Sequence, residues 1–446
     1  MKITVVGAGY VGLAVGVCFA EAGHIVICLD IDKSKIEKLS RGISPIYENG
    51  LQNMLQTNMR AGRLAFTSDY CTACGEAEAV FLAVPTPELP DGSACLCVLY
   101  RAAEQAAQNI RQKCLVVVKS TVPPGTNEAV ERLMNARIKP GLRVEVASNP
   151  EFLTQGLAVA GTMHPDRIVI GTESRWAEQV LREIYEPFGA PVVSVGRRSA
   201  EMIKYACNNF LALKISYMNE VANLCELVGA DILDVARGMG LDKRIGPRFL
   251  NAGTGFGGSC LPKDSAALAH LAGKAGCEMK TVRAAIEVNR AQKTVLFKKA
   301  AGAFPSFEAV RIAVLGLAFK PDTDDVREAP SIENVSLLLR AGADIAAYDP
   351  VGMENFKKNF PEGGRVKGRI AYAASAGEAL SGAEVCFVFT EWDEFAALKP
   401  QDFVRLMKTP IVFDGRNLYN VEEMETNGVR YFSVGRKPGP LEPIQK

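Results

Sequence analysis

The segment Ile3-Thr4-Val5-Val6-Gly7-Ala8-Gly9-Tyr10-Val11-Gly12 begins as a strand and runs into glycines spaced G-x-G-x-x-G. In that pattern Gly7 supplies a tight turn, Gly9 lets backbone approach a pyrophosphate, and Gly12 allows the emerging helix to pack closely on the strand. A phosphate would sit on the helix N-terminus beside Tyr10 and Val11, where N–H groups and the dipole favour negative charge. The next strand-like run, Ile25–Leu29, ends on Asp30. A carboxylate there accepts hydrogen bonds from an adenosine ribose and repels a 2′-phosphate, so the expected cofactor is NAD rather than NADP. Lys35, five residues on, softens that preference.

Outward from this segment, strand-like runs at Lys2–Val6, Ile25–Leu29, 79–84, Leu115–Val118, 144–147, 167–170 and Val192–Val195 alternate with helical patterns at 12–22, Lys33–Ser40, 99–111 and 127–134. This alternation predicts a doubly wound α/β domain, a parallel sheet with both faces covered. Three strand ends put polar groups on the carboxyl edge, where ligands bind in such folds: Pro85-Thr86-Pro87, Ser120-Thr121-Val122-Pro123 and Asn149-Pro150-Glu151. From 199 to 227 the rhythm changes. Met202, Ala206, Phe210, Leu213, Tyr217, Val221 and Leu224 recur at three- and four-residue spacing, predicting one long helix of the kind that bridges domains or joins subunits. Further helix is expected at 232–237, 263–275 and 281–299. After a turn at Phe304-Pro305-Ser306 a second α/β pattern follows, with strands at 310–315, Asp344–Tyr348, 384–390 and 411–413. The expected parts are a Rossmann-like domain at 1–196, a central helical domain at 197–300 and a second Rossmann-like domain at 301–446.

The 446 residues are 48% apolar and 23% charged, which is ordinary for globular protein and disfavours disorder. A net charge of +1 argues against a large basic footprint, so neither nucleic acid nor an anionic membrane is an expected partner. No apolar run approaches the roughly 20 residues that span a bilayer. The chain begins directly with a strand, and a cytoplasmic location is expected. Its twelve cysteines do not form a secreted disulfide framework in a chain this long, and most are expected to be reduced core residues. Cys71 and Cys74 lack the second pair that a zinc site needs, and His24, His164 and His270 are dispersed, so no metal is expected.

One cysteine stands apart, in Gly255-Phe256-Gly257-Gly258-Ser259-Cys260-Leu261-Pro262-Lys263-Asp264. Glycines allow close approach of backbone to a ligand, and Pro262 suits the first turn of a helix. Cys260 therefore precedes a helix N-terminus with Lys263 nearby, and both features favour a thiolate. Gly-Gly-Ser before it and Lys-Asp after it are poor core material, so a nucleophile is the better reading than a buried thiol. Lys204 and Asn208, four apart, project from one face of the long helix. Placement in solvent and placement in a site are equally compatible with that spacing.

These pieces together resemble the UDP-glucose/GDP-mannose dehydrogenase family. The resemblance is essentially end to end and rests on Gly7–Gly12, Val84-Pro85-Thr86-Pro87, Ser120-Thr121-Val122-Pro123, Asn149-Pro150-Glu151-Phe152-Leu153, the Cys260 loop and Gly316-Leu317-Ala318-Phe319-Lys320. It implies a four-electron oxidation of a nucleotide-sugar alcohol to the acid with two NAD, UDP-glucose being the favoured substrate. It also implies roles. Cys260 would be the covalent nucleophile. Lys204 would act on the substrate oxygen, with Asn208 and Asp264 holding a water beside it, and Glu151 and Thr121 would order the hydrolytic water. Thr86, Thr121, Gln155, Lys263 and Arg327 would join Gly7, Gly9, Tyr10, Val11, Gly12, Asp30 and Lys35 around NAD. Glu151, Phe152, Leu153, Phe249, Leu250, Asn251, Gly253 and Gly257 would line the sugar and its phosphates. Lys320 and Arg416 would grip the nucleotide in a C-terminal UDP-binding domain. Arg244 would reach a neighbouring subunit's substrate, so a homodimer or higher oligomer through the central domain is expected.

Two positions depart from the family pattern: Gln155 stands where Glu is usual, and Cys95 where Asp is common. GDP-mannose and N-acetylated UDP-sugars are rival substrates. A non-catalytic NAD and nucleotide-sugar sensor would have no need of Cys260, Lys204, Asp264 and Glu151 together, and a two-electron hydroxyacid-type dehydrogenase would have no use for the cysteine loop.

Overall fold

A computed structural model describes residues 1–364 and 367–436, so the last ten positions assigned to the third expected domain lie outside the described residues. The chain divides into two compact units, 1–207 with 266–277, and 208–265 with 278 onward. Each unit is built on one sheet.

In the first unit the strands are β1 (Lys2–Val6), β2 (Ile25–Leu29), β3 (Leu64–Thr67), β4 (Ala79–Leu82), β5 (Leu115–Val118), β6 (Glu145–Ser148), β7 (Ile168–Gly171) and β8 (Val192–Val195), in the spatial order β3-β2-β1-β4-β5-β6-β7-β8. The order reverses between β1 and β4, which opens a crevice at their carboxyl ends, the ligand position in this kind of sheet. Most of the sheet is parallel as expected, but β7 meets β6 antiparallel through the single pair Ser148–Gly171. The expectation of an all-parallel sheet fails there. The inner strands β4 and β5 are buried along their whole length, because helices such as Tyr10–Glu21 and Cys97–Asn109 cover the sheet.

In the second unit β9 (Arg311–Leu315), β10 (Asp344–Tyr348), β11 (Arg369–Tyr372), β12 (Val385–Val388), β13 (Ile411–Asp414) and β14 (Arg430–Phe432) take the order β11-β10-β9-β12-β13-β14, parallel throughout, with the same reversal between β9 and β12. Its core carries a row of stacked rings, Phe389, Phe387, Phe413 and Phe432, with neighbouring centroids 5.9, 5.2 and 4.8 Å apart. The long helix runs over Arg197–Val228 and crosses the division between units in the chain. The single helix expected at 281–299 is instead two, Lys280–Gln292 and Val295–Ala303. Lys293 ends the first: its carbonyl is taken by Asn334 Nδ2 at 2.7 Å and its ammonium by Glu328 at 2.7 Å.

Phe413 is fully buried in the middle of the aromatic row. Phe413→Ala is expected to cost about 3–5 kcal/mol, lowering the urea midpoint with little change in m-value. A loss under about 1 kcal/mol would mean the row does not hold the second sheet together.

Candidate functional site

The glycine segment of the first unit does what its spacing predicts, with a division of labour. Gly7 has φ +102°, and a Cβ there would lie 2.5 Å from Ala83 O; a Cβ on Gly12 would lie 1.8 Å from Gly7 O. These two glycines are demanded by the protein's own packing. Gly9 is not: a Cβ there would meet nothing within 4 Å. Open space over Gly9, at the start of the helix Tyr10–Glu21, fits a ligand phosphate approaching the backbone. Asp30 faces the same turn, accepting from Ala8 N–H at 2.9 Å and from Lys35 Nζ at 2.8 Å. Lys35 thus lies against the carboxylate it was expected to temper. Thr86 is buried, and its hydroxyl donates to Thr121 O at 2.9 Å, which ties together two of the three polar strand ends.

The third strand end forms a buried charge cluster. Lys204 and Glu151 are buried and pair at 3.1 Å. Leu153 N–H donates back to Glu151 at 2.6 Å, closing the Glu151-Phe152-Leu153 turn. Arg167 stacks on the Phe152 ring at 3.8 Å, and Lys204 Nζ lies 5.4 Å from the same ring. Beneath them Lys119, at the end of β5, donates to Asn149 Oδ1 at 2.9 Å and to the Tyr185 hydroxyl at 3.1 Å. Burial depresses the Lys119 ammonium to about 7, with Glu151 opposing and Lys204 assisting. Burial by itself would raise the Glu151 carboxyl, but the charge of Lys204, the Leu153 N–H and Lys119 hold it below the ordinary range. A cavity of about 390 Å³ adjoins this cluster, lined by Lys119, Asn149, Glu151, Phe152 and Arg167 among others. The turn beyond it is anchored by Glu48, which accepts from Gly156 N–H and Ala158 N–H at 2.7 Å each; Gln155, half-buried, opens that turn. Lys119, Tyr185 and Glu48 were not singled out from the sequence. Only Lys119 left a trace, as a charge closing the apolar run Leu115–Val118.

In the second unit Cys260 is half-buried, and its carbonyl accepts from Asp264 N–H at 2.9 Å, which makes it the residue that caps the helix Leu261–Lys274. Asp264 is almost wholly buried. It accepts from Asn208 Nδ2 at 2.6 Å through one oxygen and from Lys263 through the other. Asn208 and Lys204 are both buried, so the solvent-facing alternative for these two positions does not hold. The glycines before Cys260 serve packing more than ligand approach. A Cβ on Gly255, Gly257 or Gly258 would collide with Asn289 Oδ1 at 2.6 Å, Glu328 O at 2.4 Å or the Phe319 ring at 2.8 Å.

The remaining expected residues take varied positions. Gly253 N–H donates to Asn219 at 2.8 Å and Leu250 is core, while Asn251 is exposed and Phe249 is exposed in a left-handed conformation (φ +64°). Arg416 donates to Phe389 O at 2.7 Å and Phe319 O at 3.0 Å, beside half-buried Lys320. Arg327 is exposed and engages Asp325 at 2.6 Å, while its carbonyl receives Gly258 N–H at 2.8 Å. Arg244 is exposed and paired with Asp242 at 2.6 Å. Of the cysteines other than Cys260, six are buried, but Cys71, Cys95, Cys97, Cys207 and Cys277 are not. Among the described residues no helix is long and apolar enough to cross a membrane.

Comparison with known proteins agrees with this geometry. Residues 1–189 match the NAD binding domain of the UDP-glucose/GDP-mannose dehydrogenase family, 198–291 its central domain and 313–421 its UDP binding domain. The UDP-glucose 6-dehydrogenase of Rhizobium meliloti is 46% identical over 446 residues, covering 98% of this chain and 100% of that one. The UDP-glucose 6-dehydrogenase YwqF of Bacillus subtilis is 44% identical over 437 residues, 98% of each. A solved UDP-glucose dehydrogenase from Pyrobaculum islandicum superposes with a TM-score of 0.89 at 37% identity over 98% of each chain. With all three domains matched in order, and relatives aligned over nearly its whole length, this chain belongs to the UDP-glucose/GDP-mannose dehydrogenase family.

Proposed function

We propose that the protein oxidises the C6 alcohol of UDP-glucose to the carboxylate, and that Cys260 carries the sugar covalently between two oxidations. Gly7–Gly12 and Asp30 would hold NAD, which when bound would supply hydride acceptance for the two oxidations. An aldehyde lacks a donor that can expel a second hydride. Addition of the Cys260 thiolate to the aldehyde carbon gives a thiohemiacetal, which can lose that hydride and become a thioester; water then releases the acid and returns the thiol. Lys204 stabilises or deprotonates the substrate oxygen, and Glu151 keeps it in place through their ion pair. Asn208 and Asp264 hold a water, and Thr121 and Glu151 order the one that cleaves the thioester. With Gln155 in place of the usual Glu, hydrogen bonding remains at that position and an acid–base role does not. The observation that carries this reading is Cys260, half-buried at a helix cap one turn before buried Asp264, a placement none of the core cysteines shares.

Lys119 adds a positioning role. Where it is protonated, below about pH 7, Lys119 is a second cation behind Glu151 that helps keep that carboxylate ionised as the partner of Lys204 rather than as a proton source. We further infer a homodimer through the long helix. Phe210, Tyr217 and Leu224, seven residues apart, were read from the sequence within an apolar stripe, yet they lie 62%, 53% and 57% exposed, a row of large apolar groups suited to a second copy. A cytoplasmic location accords with the use of unbridged thiols.

Purified protein is expected to form two NADH per UDP-glucose consumed, and Cys260→Ala to abolish acid formation; one NADH per sugar, followed at the NADH absorbance band, would remove the four-electron assignment. Turnover of GDP-mannose without UDP-glucose would move the substrate. Lys119→Met should lower kcat more than it raises KM for UDP-glucose. It should also remove a pH dependence of stability. From about pH 7 up to the ordinary lysine value of 10.5, the unfolded chain holds a proton at Lys119 that the folded chain has released. Wild-type stability relative to Lys119→Met therefore rises with pH across that window. Urea unfolding at about pH 6 and about pH 9 checks it, and a constant difference contradicts it. Leu224→Glu should convert a dimer to monomer in sedimentation, and an unchanged mass would exclude that helix face.

A further inference from the structure

The loop leaving the carboxyl end of β4 carries two thiols that the reaction does not use. It folds back on itself through Leu89 N–H to Ser93 O at 2.8 Å, the bridge between Glu88 and Ala94, and Cys95 N–H to Pro87 O at 2.7 Å. This brings the sulfurs of Cys95 and Cys97 to 2.8 Å from each other, with Cys95 half-buried and Cys97 exposed. Cys97 is the first residue of the helix Cys97–Asn109. The contact between the two sulfurs, with the Cys97 N–H, holds the Cys95 thiol below the ordinary cysteine range, while the same contact pushes the Cys97 thiol up. An accessible sulfur with thiolate character beside a second thiol has the arrangement of an attacking and a resolving cysteine.

We propose that Cys95 and Cys97 form a reversible dithiol–disulfide couple that reacts with low-molecular-weight disulfides of the glutathione type. The Cys95 thiolate attacks one sulfur of the incoming disulfide, forming a mixed disulfide and expelling the first thiolate. Cys97 gives its proton to solvent, attacks the Cys95 sulfur and expels the second. Two electrons pass from the cysteines to the incoming disulfide, which leaves as two thiols. Closure draws the first turn of the helix onto the loop that also carries Thr86. Resting on the reading of Thr86 as a cofactor residue, this lowers affinity for NADH.

The reduced full-length protein is incubated with oxidised glutathione, quenched by alkylation and mapped by mass spectrometry. The expected product is a Cys95–Cys97 disulfide, lighter by two hydrogens and reversed by dithiothreitol. Cys97→Ser stops at a glutathione adduct on Cys95, and Cys95→Ser leaves Cys97 alkylated. Both cysteines alkylated in the wild type while exposed Cys277 carries glutathione overturns the proposal, as does a disulfide from either to another cysteine. NADH titrated by fluorescence should bind about threefold more weakly to oxidised than to reduced wild type, and equally to treated and untreated Cys95→Ser. Equal affinity in both wild-type states overturns the coupling to Thr86. Reduced protein that binds no NADH at all sinks the cofactor reading instead, and leaves the disulfide measurement standing.

Discussion

Two lysines and one carboxylate share the buried interior of the first unit, and the shape of its site follows from that imbalance. Lys204 and Glu151 pair at 3.1 Å with almost no exposure, and Lys119 lies behind them. Each ion taken from water costs several kcal/mol, and breaking such a pair by removing one partner costs about 3–5 kcal/mol. With one negative charge between two positive ones, the group that gives way is the cation with the poorer partners. Lys119 has an amide oxygen and a phenol, and its ammonium falls to about 7; Glu151 stays ionised. The carboxylate is thereby committed to Lys204 and to Leu153 N–H, which fixes the turn carrying Phe152 against Arg167.

The two sheets show how one topology is spent on different ligands. Both reverse strand order after their first strand, and both need glycine at that crossing: Gly7 and Gly316 have φ +102° and +89°, with Ala83 O and Thr390 in the space a side chain would take. The resemblance ends one residue later. Gly7-Ala8-Gly9 becomes Gly316-Leu317-Ala318, and the open backbone over Gly9 has no counterpart. The acids that follow β2 and β10 diverge in the same direction. Asp30 gives one oxygen to Ala8 N–H and Lys35 at the edge of the turn. Asp349 is fully buried and accepts from Leu317, Ala318, Val351 and Gly352 N–H and from the Trp392 indole. A carboxylate so consumed cannot receive a ribose. It staples its own loop instead, whereas Asp30 stays at the edge of its turn.

What could be read from the sequence divides along the same physical lines. Strands β1, β2, β5 and β8 were legible to the residue, because β-branched runs bounded by turn residues have no helical alternative of that length. The strands that escaped, β3, β11 and β14, all lie on sheet edges. With one neighbour each, they need no long apolar run: β11 is Arg-Ile-Ala-Tyr and β14 Arg-Tyr-Phe. The antiparallel contact of β7 left no mark, since direction is a tertiary property. In the site, residues held by local sequence grammar were visible, namely Gly7, Asp30, Cys260 and Asp264. Residues recruited across the fold were not. Tyr185 meets Lys119 across 66 positions, and Glu48 reaches Gly156 across 108; no local pattern encodes either contact.

The glycines around Cys260 sharpen this point, because their presence was legible and their reason was not. Glycine beside a reactive residue suggests room for a ligand. Yet a side chain at Gly255 or Gly258 would have to push aside the Asn289 amide or the Phe319 ring, and one at Gly257 would run into the backbone of Glu328. The loop is therefore packed from behind, with Phe256 N–H and carbonyl both bound to Asn289 at 2.7 and 3.0 Å. A nucleophile on a loose loop would lose the geometry that makes attack effectively unimolecular, where about 1 Å of misplacement costs roughly a hundredfold in rate. Packing the segment with glycine lets neighbouring backbone and rings close on it, so the sulfur is held by the fold before any substrate arrives. Gly9 is the opposite case, a glycine the protein itself does not need. At Gly9 the backbone is left open at the start of a helix, whereas the glycines before Cys260 are crowded by their own chain, in a segment that is held still.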